Sequence, residues 1–191
     1  QRWSQIRQGW PNQPLRLYGA GADSGTFDYF TEAIVGKAKA IRTDYQPTED
    51  DNVTIKGVAG DTYAMGFLGY AYYEENKDKV KAVAIDHGKG CVLPSRETVL
   101  DGTYQPLSRP LFIYVNVNSL DRPEVQAVVD FDLSPAARRA IRSTGYVELP
   151  SEAYRIGQEL VKRRKAGTFF MELPAGTPLS KFIQELDKEL R

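Results

Sequence analysis

One cysteine and one histidine stand in 191 residues. A lone Cys91 excludes an internal disulfide framework and leaves the redox compartment open. His87, in the polar turn "DHGKGC", reads as an exposed loop residue rather than a catalytic base. Asp86, His87 and Cys91 are too few and too poorly grouped for a zinc site, so neither metal nor cofactor is expected. An excess charge of either sign is missing too, because 25 basic and 25 acidic residues cancel. That balance argues against nucleic acid or an anionic membrane as partner. The sequence has no apolar run long enough to span a bilayer and no export signal. It opens on Gln1 rather than methionine, from which a trimmed N-terminus is expected. Internal repeats and low-complexity linkers are absent.

What is present describes a globular chain. Hydrophobic residues make up 41% and charged residues 26%, enough for one large domain or two small lobes with a buried core. Trp3, Trp10 and two prolines mark residues 1–14 as an irregular lead-in. "PLRLY" predicts a strand running into the glycine-rich stretch "GAGADSGT". Phe27, Phe30, Ala33 and Ile34 then share one helical face, with Gly36 as the stop. Thr48 is the candidate N-cap before the acidic turn of "QPTEDDN". "AMGFLGYAYYEEN" predicts a strand passing into a helix, and "VKAVAID" a buried strand. Ser95 caps a short helix, and "PLFIYVNV" is the clearest strand pattern in the sequence. Helices follow over "DRPEVQAVVDFDL", over "SPAARRAIRST" with Ser134 as cap and Gly145 past its end, from Ser151 to Arg164, and from Leu179 to Leu190. Strands alternating with helices predict an α/β fold with a largely parallel sheet.

A strand, a glycine-rich turn and a helix N-terminus together make an anion site. The first-turn N–H groups lack helical partners, and the helix dipole adds positive potential. Ser24 and Thr26 add hydroxyls on either side of Gly25, whose missing side chain lets an oxyanion approach the backbone. Asp23 repels an anion unless it accepts a proton from it, as from monohydrogen phosphate. The alternative reading makes Ser24 or Thr26 a simple helix cap in a tight turn.

The stretch "GAGADSGTFDYFTEAI" closely resembles the phosphate loop of the substrate-binding protein of phosphate ABC transporters, a clamshell of the type II periplasmic-binding class. "RTDYQPTEDDN", "AMGFLGYAYYEEN", "YQPLSRPLFIYVN" and "STGYVELP" are similar to successive family segments in order, and "KRRKAGTFF" to the closing one. The resemblance covers nearly the whole chain. It implies an inorganic-phosphate ligand, ABC permease subunits as partners, no catalysis, and a periplasmic or extracytoplasmic setting, membrane-anchored in the full-length form. Its ligand positions fall on Ser24, Gly25 and Thr26, with Asp23 beside them. Many relatives carry an arginine where this chain has Ala20. Arg42 in "RTDY" and Arg109 in "SRPLF" are the candidate replacements, against an ordinary surface ion pair for each.

The resemblance also implies a missing N-terminal βα segment that would complete one lobe. Residues 14–107 are then expected to form the lobe bearing the loop, 108–191 the returning C-terminal part of the other, and 1–13 a lead-in. Two other classes stand beside this reading. One is a structural or signalling module that kept the fold and lost the ligand. The other is a dinucleotide-binding enzyme domain, with Gly19 and Gly21 after a strand and Asp44 where a ribose-binding acid would lie. In that reading the third glycine is displaced to Gly25 and Asp23 would face a pyrophosphate.

Overall fold

Short strands that each run into a helix start give the first part of the chain its parallel sheet. The computed structural model describes residues 1–167 and 173–191 and divides into two compact units, 1–83 and 84–191. The first unit runs α1 (Trp3–Ile6), β1 (Arg16–Ala20), α2 (Gly25–Val35), β2 (Gln46–Thr48), α3 (Asp51–Ala59), β3 (Ala64–Phe67) and α4 (Tyr70–Glu75). Strand β1 is central in a parallel sheet of order β2-β1-β3. Tyr18 lies opposite Gln46 on one side and Gly66 on the other. Because the strands are parallel, α2, α3 and α4 all begin at the same, carboxyl edge of the sheet. That edge is where open α/β sheets place ligands.

Helix α2 is positioned by what it buries. Phe27 and Thr31 are its buried residues, and Phe30 stacks on Phe67 of β3 with ring centroids 4.2 Å apart. The Thr31 hydroxyl donates to the Phe27 carbonyl at 2.9 Å and accepts from the Lys39 amide at 2.8 Å. A buried hydroxyl is thereby satisfied and the chain beyond the helix is pinned. Gly36 ends α2 at φ 78°, a left-handed conformation that glycine adopts without strain. The lead-in is tied down by the Trp3 indole, which donates to the Tyr63 carbonyl at 2.9 Å.

The second unit holds a short antiparallel pair, β4 (Ile85–Asp86) and β5 (Cys91–Val92), then α5 (Arg96–Leu100) and a 3-10 turn (Val117–Asp121). Helices α6 (Pro123–Asp132), α7 (Pro135–Ser143), α8 (Ser151–Lys162) and α9 (Leu179–Lys188) follow. Leu120, Val129, Ala137, Ala153, Tyr154, Ile156 and Leu160 form its core, with Ile156 fully buried. Ser134 caps α7 as predicted, accepting from the Ala136 and Ala137 amides.

Four expectations need correction. Strand β1 starts at Arg16, two residues later than "PLRLY" predicts. Thr48 does not cap α3: the cap is Asp50, which accepts from the Asn52 amide at 2.9 Å. Thr48 instead takes the Asp50 amide, so the acidic turn caps itself. "VKAVAID" is a buried strand only in pattern, because Ile85 and Asp86 alone pair and Val83 is 56% exposed. "PLFIYVNV" forms no strand among the described residues, and Leu111, Phe112, Ile113 and Tyr114 are exposed. Both segments have strand-forming side chains, but among the described residues the first pairs only at Ile85 and Asp86 with β5 and the second joins no ladder. The family-like stretch "KRRKAGTFF" runs past residue 167, and its last three residues lie outside the described residues.

Candidate oxyanion site

The loop between β1 and α2 is set by the sheet on one side and a serine cap on the other. The Gly21 amide donates to the Thr48 carbonyl at 3.2 Å, which continues the β1–β2 pairing past the strand end. The chain then turns, with the Ser24 amide donating to the Gly21 carbonyl at 3.1 Å. Ser24 is extended, and its Oγ accepts from the Thr26 amide at 3.2 Å. The structure shows the cap, and the capping serine stands at the first turn of α2. The Thr26 hydroxyl makes no hydrogen bond among the described residues. Gly25 is exposed, while Ser24 and Thr26 are half-buried. Ala20, at the end of β1, is buried and contributes no charge.

Carboxylates crowd the same edge. Glu49 reaches the loop, its Oε1 accepting from the Asp23 amide at 3.4 Å. It packs so closely that a Cβ on Gly21 would lie 2.1 Å from that oxygen. The glycine is what admits the carboxylate. Asp51, at the start of α3, is held above the usual carboxylate range by burial and then by repulsion from Asp50 and Glu49. Burial and the Glu49 charge also push the Tyr45 phenol up, and its hydroxyl donates to the Ala20 carbonyl at 3.3 Å. Glu49, Asp51 and Tyr45 were not singled out in the sequence. The signal was available as the acidic run that directly follows β2, one strand over from the loop.

Donors and acceptors therefore share one edge: helix N-termini and hydroxyls beside carboxylates. A simple anion gains from the first set and is repelled by the second. An oxyanion that carries a proton satisfies both, because its P–O oxygens accept and its hydroxyl donates to a carboxylate. Sulfate at neutral pH has no such proton.

The two candidate cations occupy different settings. Arg42 grips Asp44 with both ends of its guanidinium, Nε at 2.6 Å from Oδ1 and Nη2 against Oδ2, and it also meets Gln1. The hydrogen bond that Arg42 donates to Asp44 raises the Arg42 pKa, and the same contact holds the Asp44 carboxyl below its usual value. Asp44, the acid that a dinucleotide reading needs, is thus engaged by arginine. Arg109 is exposed and lies in the second unit, in the irregular stretch before the 3-10 turn. Among the described residues no group of three or more histidines, cysteines or acids is placed to hold a metal ion. His87 is exposed, as its polar turn predicts.

The PBP superfamily domain matches residues 1–136. The chain is 49% identical over 186 residues to Protein SphX of a Synechocystis species, covering 94% of this chain and 55% of the relative. It is 34% identical to the phosphate-binding protein PstS of Staphylococcus haemolyticus, over 80% of this chain and 48% of that protein. Among solved structures it is similar to a possible phosphate binding protein from Planctomyces limnophilus, with a TM-score of 0.71 and 43% identity. That match covers 86% of this chain and 59% of the other. The chain spans about half the length of the curated relatives it matches.

Proposed function

The chain belongs to the PBP superfamily, and on that premise we propose that it supplies one wall of a site for inorganic phosphate in the substrate-binding component of an ABC-type uptake system. The observation that carries the reading is the Ser24–Gly25–Thr26 turn at the carboxyl edge of the central strand, with three helix N-termini along that edge. Ser24, the Gly25 amide and Thr26 donate to phosphate oxygens, and Asp23 accepts its proton. Arg109 and Arg42 are the cations proposed to offset the charge in place of the arginine missing at Ala20. The PstS relatives, named as phosphate-binding proteins, support this choice of ligand.

In this reading residues 14–107 are one lobe, 108–191 the returning part of the other, and 1–13 a lead-in. An N-terminal segment of the same protein supplies the opposing wall, and permease subunits receive the loaded protein on the extracytoplasmic side. The chain has no catalytic cycle. A clamshell holds an anion by surrounding it with donors from both sides, which offsets the cost of dehydrating it. One helix N-terminus open to water contributes only about 0.3–1 kcal/mol.

Calorimetric titration with phosphate tests the proposal. In a protein that has both walls, Ser24→Ala and Thr26→Val are each expected to weaken binding roughly tenfold to a hundredfold, as for a lost hydrogen bond to a charged group. Unchanged affinity in both variants removes the loop from the site. The 191-residue chain alone is expected to bind with a dissociation constant above about 1 µM.

A further inference from the structure

The second unit holds a cationic pocket that the phosphate reading leaves unused. A cavity of about 420 Å³ is lined by Arg96 of α5, by Arg138, Arg139 and Arg142 of α7, and by Glu148 and Ser151 at the approach to α8. Its size lies within the range of small-molecule sites, roughly 300–1,000 Å³. Four guanidinium groups face one lining carboxylate, a formal excess of three positive charges. Positions 138, 139 and 142 fall within one helical turn of each other, so α7 concentrates its charge on one side.

The arginines are not loose. The Glu148 side chain is 7% exposed. It accepts from Arg142 Nη1 at 2.9 Å and from Arg96 through both Nη2 and Nε. Those two arginines are thereby fixed in place, each with further N–H groups left to give. Arg138 donates to Ser151 Oγ at 2.8 Å and lies over the Tyr154 ring, 5.1 Å from its centroid. Ser151 accepts there, so its own proton remains available. Arg139 is exposed and has no ion pair among the described residues. Helix α8 starts at Ser151 without a side-chain cap; the Ala153 amide donates to the Pro150 carbonyl at 3.0 Å, and the Ser151 and Glu152 amides have no hydrogen-bond partner among the described residues. The nearby Glu152 is 60% exposed, lies 3.9 Å from Arg155 and is not part of the lining.

We propose that this pocket binds a small oligophosphate, at a site separate from the Ser24 loop. Planar guanidinium forks match phosphate oxygens two at a time, and fixed forks lose little freedom on binding. The start of α8 and the Ser151 hydroxyl add donors to this set, and Glu148, the one carboxylate in the lining, already accepts three hydrogen bonds from Arg96 and Arg142. Several converging cations favour a linked pair of phosphates over a single one. The proposal stands independently of the loop reading.

Titration of the 191-residue chain with pyrophosphate at low ionic strength tests it. Binding is expected to exceed that of orthophosphate and of citrate, and to weaken about tenfold in Arg139→Ala and again in Arg138→Ala. Arg139 is exposed and has no ion pair among the described residues, so its variant is expected to leave the fold intact, and Arg139→Lys is expected to restore part of the affinity. Ser24→Ala with Thr26→Val is expected to leave pyrophosphate binding unchanged. Absence of binding, equal affinity for citrate, indifference to both arginine variants, or loss of binding in the loop variant each overturns the proposal.

Discussion

Glu49 shows what a single side chain does to an anion site. Its carboxylate accepts the Asp23 amide and lies against Gly21, close to where a bound oxyanion would approach the loop. Two negative charges about 4 Å apart repel by roughly 4 kcal/mol at an effective dielectric of 20, and by less once solvent screens an exposed group. The residue therefore weakens binding of any fully ionised ligand unless it receives a proton from that ligand. Glu49→Gln separates these cases. It is expected to raise the affinity for sulfate several-fold while leaving phosphate nearly unchanged or weaker, because only phosphate loses a proton acceptor. Calorimetry with both anions reads the result. Equal gains for both would mean that Glu49 acts by charge alone.

At the scale of elements, most helix ends and the strands β1 and β3 were legible, while the cap of α3 and two strong strand patterns misled. Ser24, Ser95 and Ser134 each cap the helix that the sequence assigns to them, because a cap is a local interaction between neighbours in the chain. The turn between β1 and α2 was legible for the same reason. "VKAVAID" and "PLFIYVNV" carry strong strand patterns and form almost no sheet among the described residues, since a strand depends on a partner that the segment itself does not encode. Glu49 was missed on similar grounds, because it reaches the loop only after β2 pairs beside β1.

The link between α5 and α7 is likewise long-range, and pH reports it. Glu148, gripped by Arg96 first and Arg142 second, has its pKa lowered from 4.5 to about 2, with burial opposing the shift. A carboxylate whose folded pKa is depressed contributes stability that is full above the unfolded value and is lost as pH falls through the folded one. The loss is expected between about pH 4.5 and pH 2. Its size is roughly 1–3 kcal/mol after allowance for half-exposed arginines. Urea denaturation across that range checks it. Glu148→Gln is expected to lower stability at neutral pH and to flatten this part of the profile. An unchanged profile would show that the arginine contacts contribute nothing to folding.

At the scale of the whole molecule, segment 110–117 carries a run of exposed apolar side chains. Leu111, Ile113 and Tyr114 are 63%, 55% and 80% exposed, in a run that belongs to no strand among the described residues. Consecutive exposed apolar side chains that join no strand ladder among the described residues can serve as a template for strand addition. In the proposed reading the occupant is the N-terminal segment of the same protein, which fits a chain that spans about half of its curated relatives. The expected signature is hydrogen exchange. Amides of Ile113 and Tyr114 should exchange at nearly unprotected rates in the isolated chain and become protected by orders of magnitude when the full-length protein supplies a neighbouring strand. Light scattering on the isolated chain should also show self-association that rises with concentration, because copies compete for the same exposed surface. Slow exchange at these two residues in a monomeric sample of the isolated chain would sink the prediction. It would mean that this segment finds its partner within the 191 residues and needs no other part of the protein.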